Sequence, residues 1–233
     1  MLNAAVNMVP TAGSSYSGVI EQYHDVNGFI LAERPATIRV IGQAPVLGKN
    51  IFDMTSDGTT FHIFIPSKNQ FIEGPANLRE TSAKPIENLR PQHLVEALLP
   101  PETLRETGVL FEEWDTGDSR YYILTALTGE GSDLRIARRI WFDRGDLSFA
   151  RMEIFGPGGR LDSDVQYSDW QPADEISYPR EIKIARPHDD YRLDIHVTKL
   201  RLNETLGPER FQLAQPPGTR LIRLGDDSGV AQP

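Results

Sequence analysis

From Tyr16 onward, apolar positions recur mostly at every second residue, in short runs broken by turn residues. That period of two belongs to strands with one face buried. "SGVIEQYHDV" leads to Asn27-Gly28 and "FILAERP"; "TIRVIGQAP" follows, then "NIFDMTS", Asp57-Gly58 and "TTFHIFIP". Asn-Gly and Asp-Gly between alternating runs are strong hairpin signals. A two-residue turn at Asp57-Gly58 predicts that Ser56 pairs with Thr59 and Met54 with Phe61. Phe52, Met54, Phe61, Ile63 and Ile65 then share one apolar face. Asp53, Thr55, Thr60 and His62 share the other, with Phe64 as the exception. The same rule at Asn27-Gly28 predicts Tyr23 opposite Ala32 and Glu21 opposite Arg34, with Arg34 on the face of Ile30 and Ala32.

The period changes once. In "RPQHLVEALLPPETLRE", Leu94, Val95, Leu98 and Leu99 fall at helical spacing, Pro91 suits a first turn, and Pro100-Pro101 stops the run. This predicts one short amphipathic helix over 91–99. Strands resume with "VLFEEWD", "RYYILTALT", "RIARRIWFD", "LSFARMEIF", "RLDSDVQYSDW", "YPREIKIARP" and "YRLDIHVTKLRL", joined by good turn sequences. "FEEWD" reads as a charged edge that discourages edge-to-edge pairing. Residues 1–15, with "AAVNMV", read as the tail of a helix or a disordered lead. The expected class is mainly β (α+β): a meander of roughly a dozen antiparallel strands forming one large curved sheet or an incomplete barrel.

Composition narrows function. A net charge of −9 argues against nucleic acid. No apolar run approaches the roughly 20 residues of a membrane helix, and residues 1–10 lack the basic start and apolar middle of a signal peptide. With no cysteine, disulfides, thiolate metal sites and a cysteine nucleophile are excluded. Catalytic and nucleotide motifs are missing, and His24, His62, His93, His188 and His196 stand singly. Asp162 and Asp164 share a strand face, as calcium or an acid–base pair would require, but read better as a solvated outer face. No catalytic residue, metal or cofactor is expected, nor is the chain expected to be an enzyme. What remains is an apolar sheet face with one short helix to cover it. The helix, a partner or a hydrophobic ligand would bury that face.

The order "GFILAERPATIRV", "DMTSDGTTFHIFIP", "RPQHLVEALL", with the late meander through "IWFDRGDLSFARMEIFGPGGRLDSDVQYSDW" and the closing "ERFQLAQPPGTRLI", resembles the bacterial outer-membrane lipoprotein carrier family, LolA and LolB, and its lipoprotein-sorting relatives. The resemblance implies one domain over 16–222, after a lead at 1–15 that stands where the family has an amphipathic helix and before a flexible tail at 223–233. It implies an unclosed half-barrel whose helical lid covers a cavity for acyl chains of a lipoprotein or lipid. Wall residues would be Ile30, Ala32, Ile38, Val40, Phe52, Met54, Phe61 and Ile63. Leu94, Val95 and Leu98 would form the lid's underside, and Arg34 would latch the lid through its backbone. A surface Glu21–Arg34 pair is the alternative for that arginine. The implied location is periplasmic or outer-membrane-associated, with peripheral membrane contact. The alternative function is an envelope sensor or assembly partner that binds another protein, marked by an exposed apolar patch.

Overall fold

The computed structural model describes residues 1–12, 21–22, 25–45, 48–76, 91–100, 108–173 and 176–225. Two compact units divide them: one holds 1–6, 26–99 and 199–233, the other 7–25 and 100–198. In the first lie β3 (Val26–Glu33), β4 (Thr37–Gln43), β5 (Asn50–Ser56), β6 (Thr60–Ile65), β7 (Gln70–Pro75), helix α1 (Pro91–Leu98) and β15 (Arg220–Arg223). In the second lie β2 (Glu21–Gln22), β8 (Gly108–Asp115), β9 (Arg120–Thr128), β10 (Arg135–Asp143), β11 (Phe149–Phe155), β12 (Leu161–Ala173) and β13 (Ile176–Arg186). Strands β1 (Leu2–Ala12) and β14 (Tyr191–Leu202) contribute residues to both.

The strands form one sheet in the order β15-β7-β6-β5-β4-β3-β1-β14-β13-β12-β11-β10-β9-β8, with β2 added beside β1. Its two end strands have one neighbour each, so the sheet is unclosed. Consecutive strands pair antiparallel from β3 to β7 and from β8 to β14, while β15 runs parallel to β7. The fold class is the expected one, mainly β, an open half-barrel type with a short helical lid. Among the described residues no helix is long and apolar enough to cross a membrane.

Several local expectations change. Residues 2–12 are a strand, not the end of a helix: Leu2, Ala4, Val6 and Met8 are buried at alternate positions, a period that only an extended chain can place on one face. Asn27-Gly28 is not a turn; both residues pair inside β3, opposite Gln43 and Gly42. Continuous alternation of buried residues from Val26 to Ile30 outweighs the local turn preference there. Consequently Ala32 pairs with Ile38, and Glu21 pairs with Ala12 rather than Arg34. Tyr23 lies outside the described residues. The turn comes later, at 34–36, where Arg34 sits exposed beyond the end of β3.

The Asp57-Gly58 hairpin exists with a longer loop. Ser56 pairs with Phe61 and Met54 with Ile63, leaving residues 57–60 to turn the chain. Asp57 stabilises this loop by accepting the N–H groups of Thr59 and Thr60 at 2.7 and 2.8 Å. The register shifts by two, so the faces remain those expected. The tail also begins later: Arg223 ends β15, and Leu224 N–H donates to the Glu73 carbonyl at 2.8 Å.

Candidate functional site

In the first unit, register assembles an apolar wall row by row. Ile30 pairs with Val40, Val40 with Met54, Met54 with Ile63, and Ile63 with Ile72. None of the five is more than 1% exposed. A second row runs Ala32–Ile38–Ser56–Phe61–Gly74. Gly42 pairs with Phe52, and a Cβ at Gly42 would lie 2.3 Å from the Phe52 ring. The glycine therefore makes room for the aromatic wall residue. All eight expected wall residues are brought together, between 0 and 7% exposed.

Helix α1 lies against β3, β4 and β5. Pro91 supplies its preset first turn, and the run Pro100-Pro101 follows its last one. Pro91, Leu94, Val95 and Leu98 are buried at the i, i+3, i+4, i+7 spacing of a single helix face. Leu94, Val95 and Leu98 are at most 3% exposed, so helix and wall are in close apposition in this structure.

The described tie between helix and hairpin is Gln92. Its Nε2 donates to the Gly58 carbonyl at 3.1 Å, in the loop that Asp57 holds. Those two N–H groups, Thr60's first, keep the Asp57 carboxyl below the ordinary carboxylate range. Arg34, exposed in its turn, does not occupy a dry interior. Strand alternation placed it inward only while β3 was assumed to continue through it. Gln92 carries no sequence signal of its own; it is a polar residue on a short helix, and only the longer hairpin loop brings a carbonyl within its reach.

The opposite face of the same strands is mixed: Phe29, Ile41, Phe64 and Phe71 share it with Arg39, Asp53, Thr55 and His62. Arg39 makes a bidentate pair with Asp53 (3.0 and 2.8 Å) and donates to the Arg210 carbonyl at 2.9 Å. It thereby holds the short 3-10 turn Pro208–Phe211 over the sheet. Between this segment and the strands lies a cavity of about 530 Å³, lined by Thr55, Asp57, Thr60, His62 and Phe211 among others. Pro208, Leu213 and Ala214 also line it, so its hydroxyl, carboxylate and imidazole groups stand beside apolar surface.

In the second unit the apolar row Phe111–Leu124–Ile140–Met152–Val165–Ile184–Leu193 crosses seven strands. Its other face carries charges. Arg151 pairs bidentately with Asp164 (2.7 and 2.8 Å), reaches Glu153 at 3.0 Å, and lies 4.5 Å from the Trp141 ring centroid. Asp164 first, through its hydrogen bond, raises the Arg151 pKa. Asp162 is matched separately by Arg160 at 3.7 Å. The aspartates of "LDSD" are thus partners of arginines. Among the described residues no cluster of three or more histidines and carboxylates is placed to hold a metal.

No protein-family model and no curated protein matches the sequence. Solved structures do match. A LolA superfamily protein from Nitrosomonas europaea shares 14% identity over 91% of this chain and 90% of its own, at a TM-score of 0.53. A DUF1329 family protein from Desulfovibrio piger also shares 14% identity, over 91% and 89%, at 0.57. A domain described as outer membrane lipoprotein-sorting, from Vibrio parahaemolyticus, shares 9% over 90% and 88%, at 0.53. Such identities speak for the fold alone. An open antiparallel sheet, an apolar wall and a short covering helix give this chain the fold seen in LolA superfamily and lipoprotein-sorting proteins.

Proposed function

We propose that the first unit takes up an acyl chain of a lipoprotein or lipid between α1 and the wall of β3 to β6, as a non-enzymatic carrier in the bacterial cell envelope, periplasmic or outer-membrane-associated. The observation that carries this reading is a buried wall, with the row Ile30–Val40–Met54–Ile63–Ile72 apolar throughout, against which a helix of eight residues lies. Leu94, Val95 and Leu98 are the lid's underside, and Gln92 bonds it to the hairpin loop.

Magnitudes favour exchange of the helix for a guest. Each of the three lid side chains gains about 1.5–3 kcal/mol from burial, so lifting them costs about 5–9 kcal/mol. A chain of roughly 14 methylenes gains about 11 kcal/mol, at about 0.8 kcal/mol per CH₂. The wall stays covered throughout, by helix or by hydrocarbon.

Native mass spectrometry of the purified protein, before and after lipid extraction, tests the proposal. One acyl-bearing molecule per chain, regained on adding a fatty acid or lipopeptide, is the expected result. A clean unliganded mass that takes up neither contradicts it.

A further inference from the structure

The apolar row of the second unit ends in the open. Ile140, Met152, Val165, Ile184 and Leu193 are buried, yet Phe111, in register with them on β8, is 59% exposed. Val109, Leu110 and Trp114 on the same strand are 48, 53 and 54% exposed, so large side chains stand bare on both faces of β8. Among the described residues the strand is the last in the sheet and pairs with β9 alone, in unbroken register from Gly108 to Asp115. Half of its backbone N–H and C=O groups therefore point away from any strand of this sheet.

Edge strands are ordinarily blunted by charged side chains, proline, a bulge or brevity. β8 relies on charge alone: it is eight residues long, without proline or register shift. Its only charges are three carboxylates, Glu112, Glu113 and Asp115. Arg144 reaches Glu113 at 3.6 Å and Arg120 reaches Asp115 at 3.4 Å, across exposed surface. Exposed pairs of that kind are weak and readily exchanged for a better cation.

We propose that β8 is a docking edge for an extended segment of a partner protein, one that joins a basic stretch to an apolar one and adds antiparallel as a further strand beyond β8. Backbone hydrogen bonds to the bare edge supply affinity, and side chains supply selection. The partner's apolar stretch lies beside Val109, Leu110 and Phe111, and its lysines or arginines lie beside Glu112, Glu113 and Asp115, whose carboxylates alternate between the two faces. A second copy of this chain is a poor occupant. Pairing the whole strand antiparallel with itself sets Glu112 against Phe111 and Glu113 against Leu110. Six carboxylates would then share one ribbon with no added cation, whereas opposite charges across a pair of strands stabilise it. The site lies on the second unit and does not depend on acyl binding by the first.

The test uses a fluorescein-labelled peptide of four lysines followed by four valines. Anisotropy is followed at moderate salt, with the full chain as receptor. A version N-methylated along one backbone edge and a peptide with glutamates in place of the lysines serve as controls. Expected are saturable one-to-one binding, slowed amide exchange across 109–115, at least tenfold weaker binding on N-methylation, and no binding of the acidic peptide. Glu112→Lys with Glu113→Lys should keep the wild-type melting temperature and invert the preference between the two peptides. The proposal is overturned by any of three results. These are no binding by the folded wild type, binding indifferent to N-methylation and charge reversal, or protection of 109–115 arising from self-association on ultracentrifugation.

Discussion

Met54 and Phe111 are both large apolar residues on antiparallel strands, in register with apolar neighbours across their sheets, and their surroundings are opposite. Met54 is 0% exposed and Phe111 59%. Around Met54 the chain supplies a neighbouring strand on each side and α1 against the wall. Beside Phe111 there is a strand on one side only. The two ends of the sheet differ in the same sense. β15 is four residues long with an arginine at each end, Arg223 pairing with Glu73 at 2.7 Å; β8 is twice as long and bare. Apolarity alone thus does not distinguish a core from a contact surface. The supply of covering elements does, and it separates a wall with a helix against it from an edge with a described strand on one side.

The sharpest way to break the comparison is to make the same truncation twice. Met54→Ala should cost about 2–5 kcal/mol, the range for emptying a packed site. Phe111→Ala should change stability by no more than about 0.5 kcal/mol, as exposed positions do. Chemical denaturation of both variants checks this, and equal losses would erase the distinction. Next in size, Gly42→Ala drives a methyl into the Phe52 ring and should cost about 1–3 kcal/mol, the usual range for overpacking.

Smaller effects sharpen the lid's role. Gln92→Ala removes the bond to Gly58 and should cost about 1 kcal/mol, seen as faster amide exchange across 93–98 with exchange in β4 and β5 unchanged. The smallest effect depends on pH. The Asp57 carboxyl sits below its ordinary pKa of about 3.9, so its contribution is complete above about pH 4 and disappears as pH falls through the lowered folded value. The melting-temperature gap between wild type and Asp57→Asn should therefore be widest near neutrality and close in acid.

Much of this was legible in the sequence because the period of two survives local errors. The Asp57 loop is two residues longer than the turn signal suggests, yet an even shift keeps Phe52, Met54, Phe61 and Ile63 on one face. The helix was legible from a change of period and from prolines at both ends. Asn27-Gly28 misled because a turn dipeptide states a preference that a continuous row of buried neighbours can override. That error moved the end of β3 and with it Arg34. β1 was missed because its small residues, alanines and asparagines, give a weak hydrophobic contrast, although every second position from Leu2 to Met8 is buried. Exposure of β8 was beyond reach. "VLFEEWD" announces an edge by its charges, but strand order decides whether Phe111 meets a neighbour.

The central claim is that hydrocarbon lodges between α1 and the wall, and a photoreactive fatty acid bearing a diazirine tests it most directly. After irradiation and peptide mapping, labels should concentrate on residues 30–40, 52–54, 61–63 and 94–98 and fade with added unlabelled fatty acid. Labels confined to β8, or to the opposite face around His62 and Phe211, would contradict it.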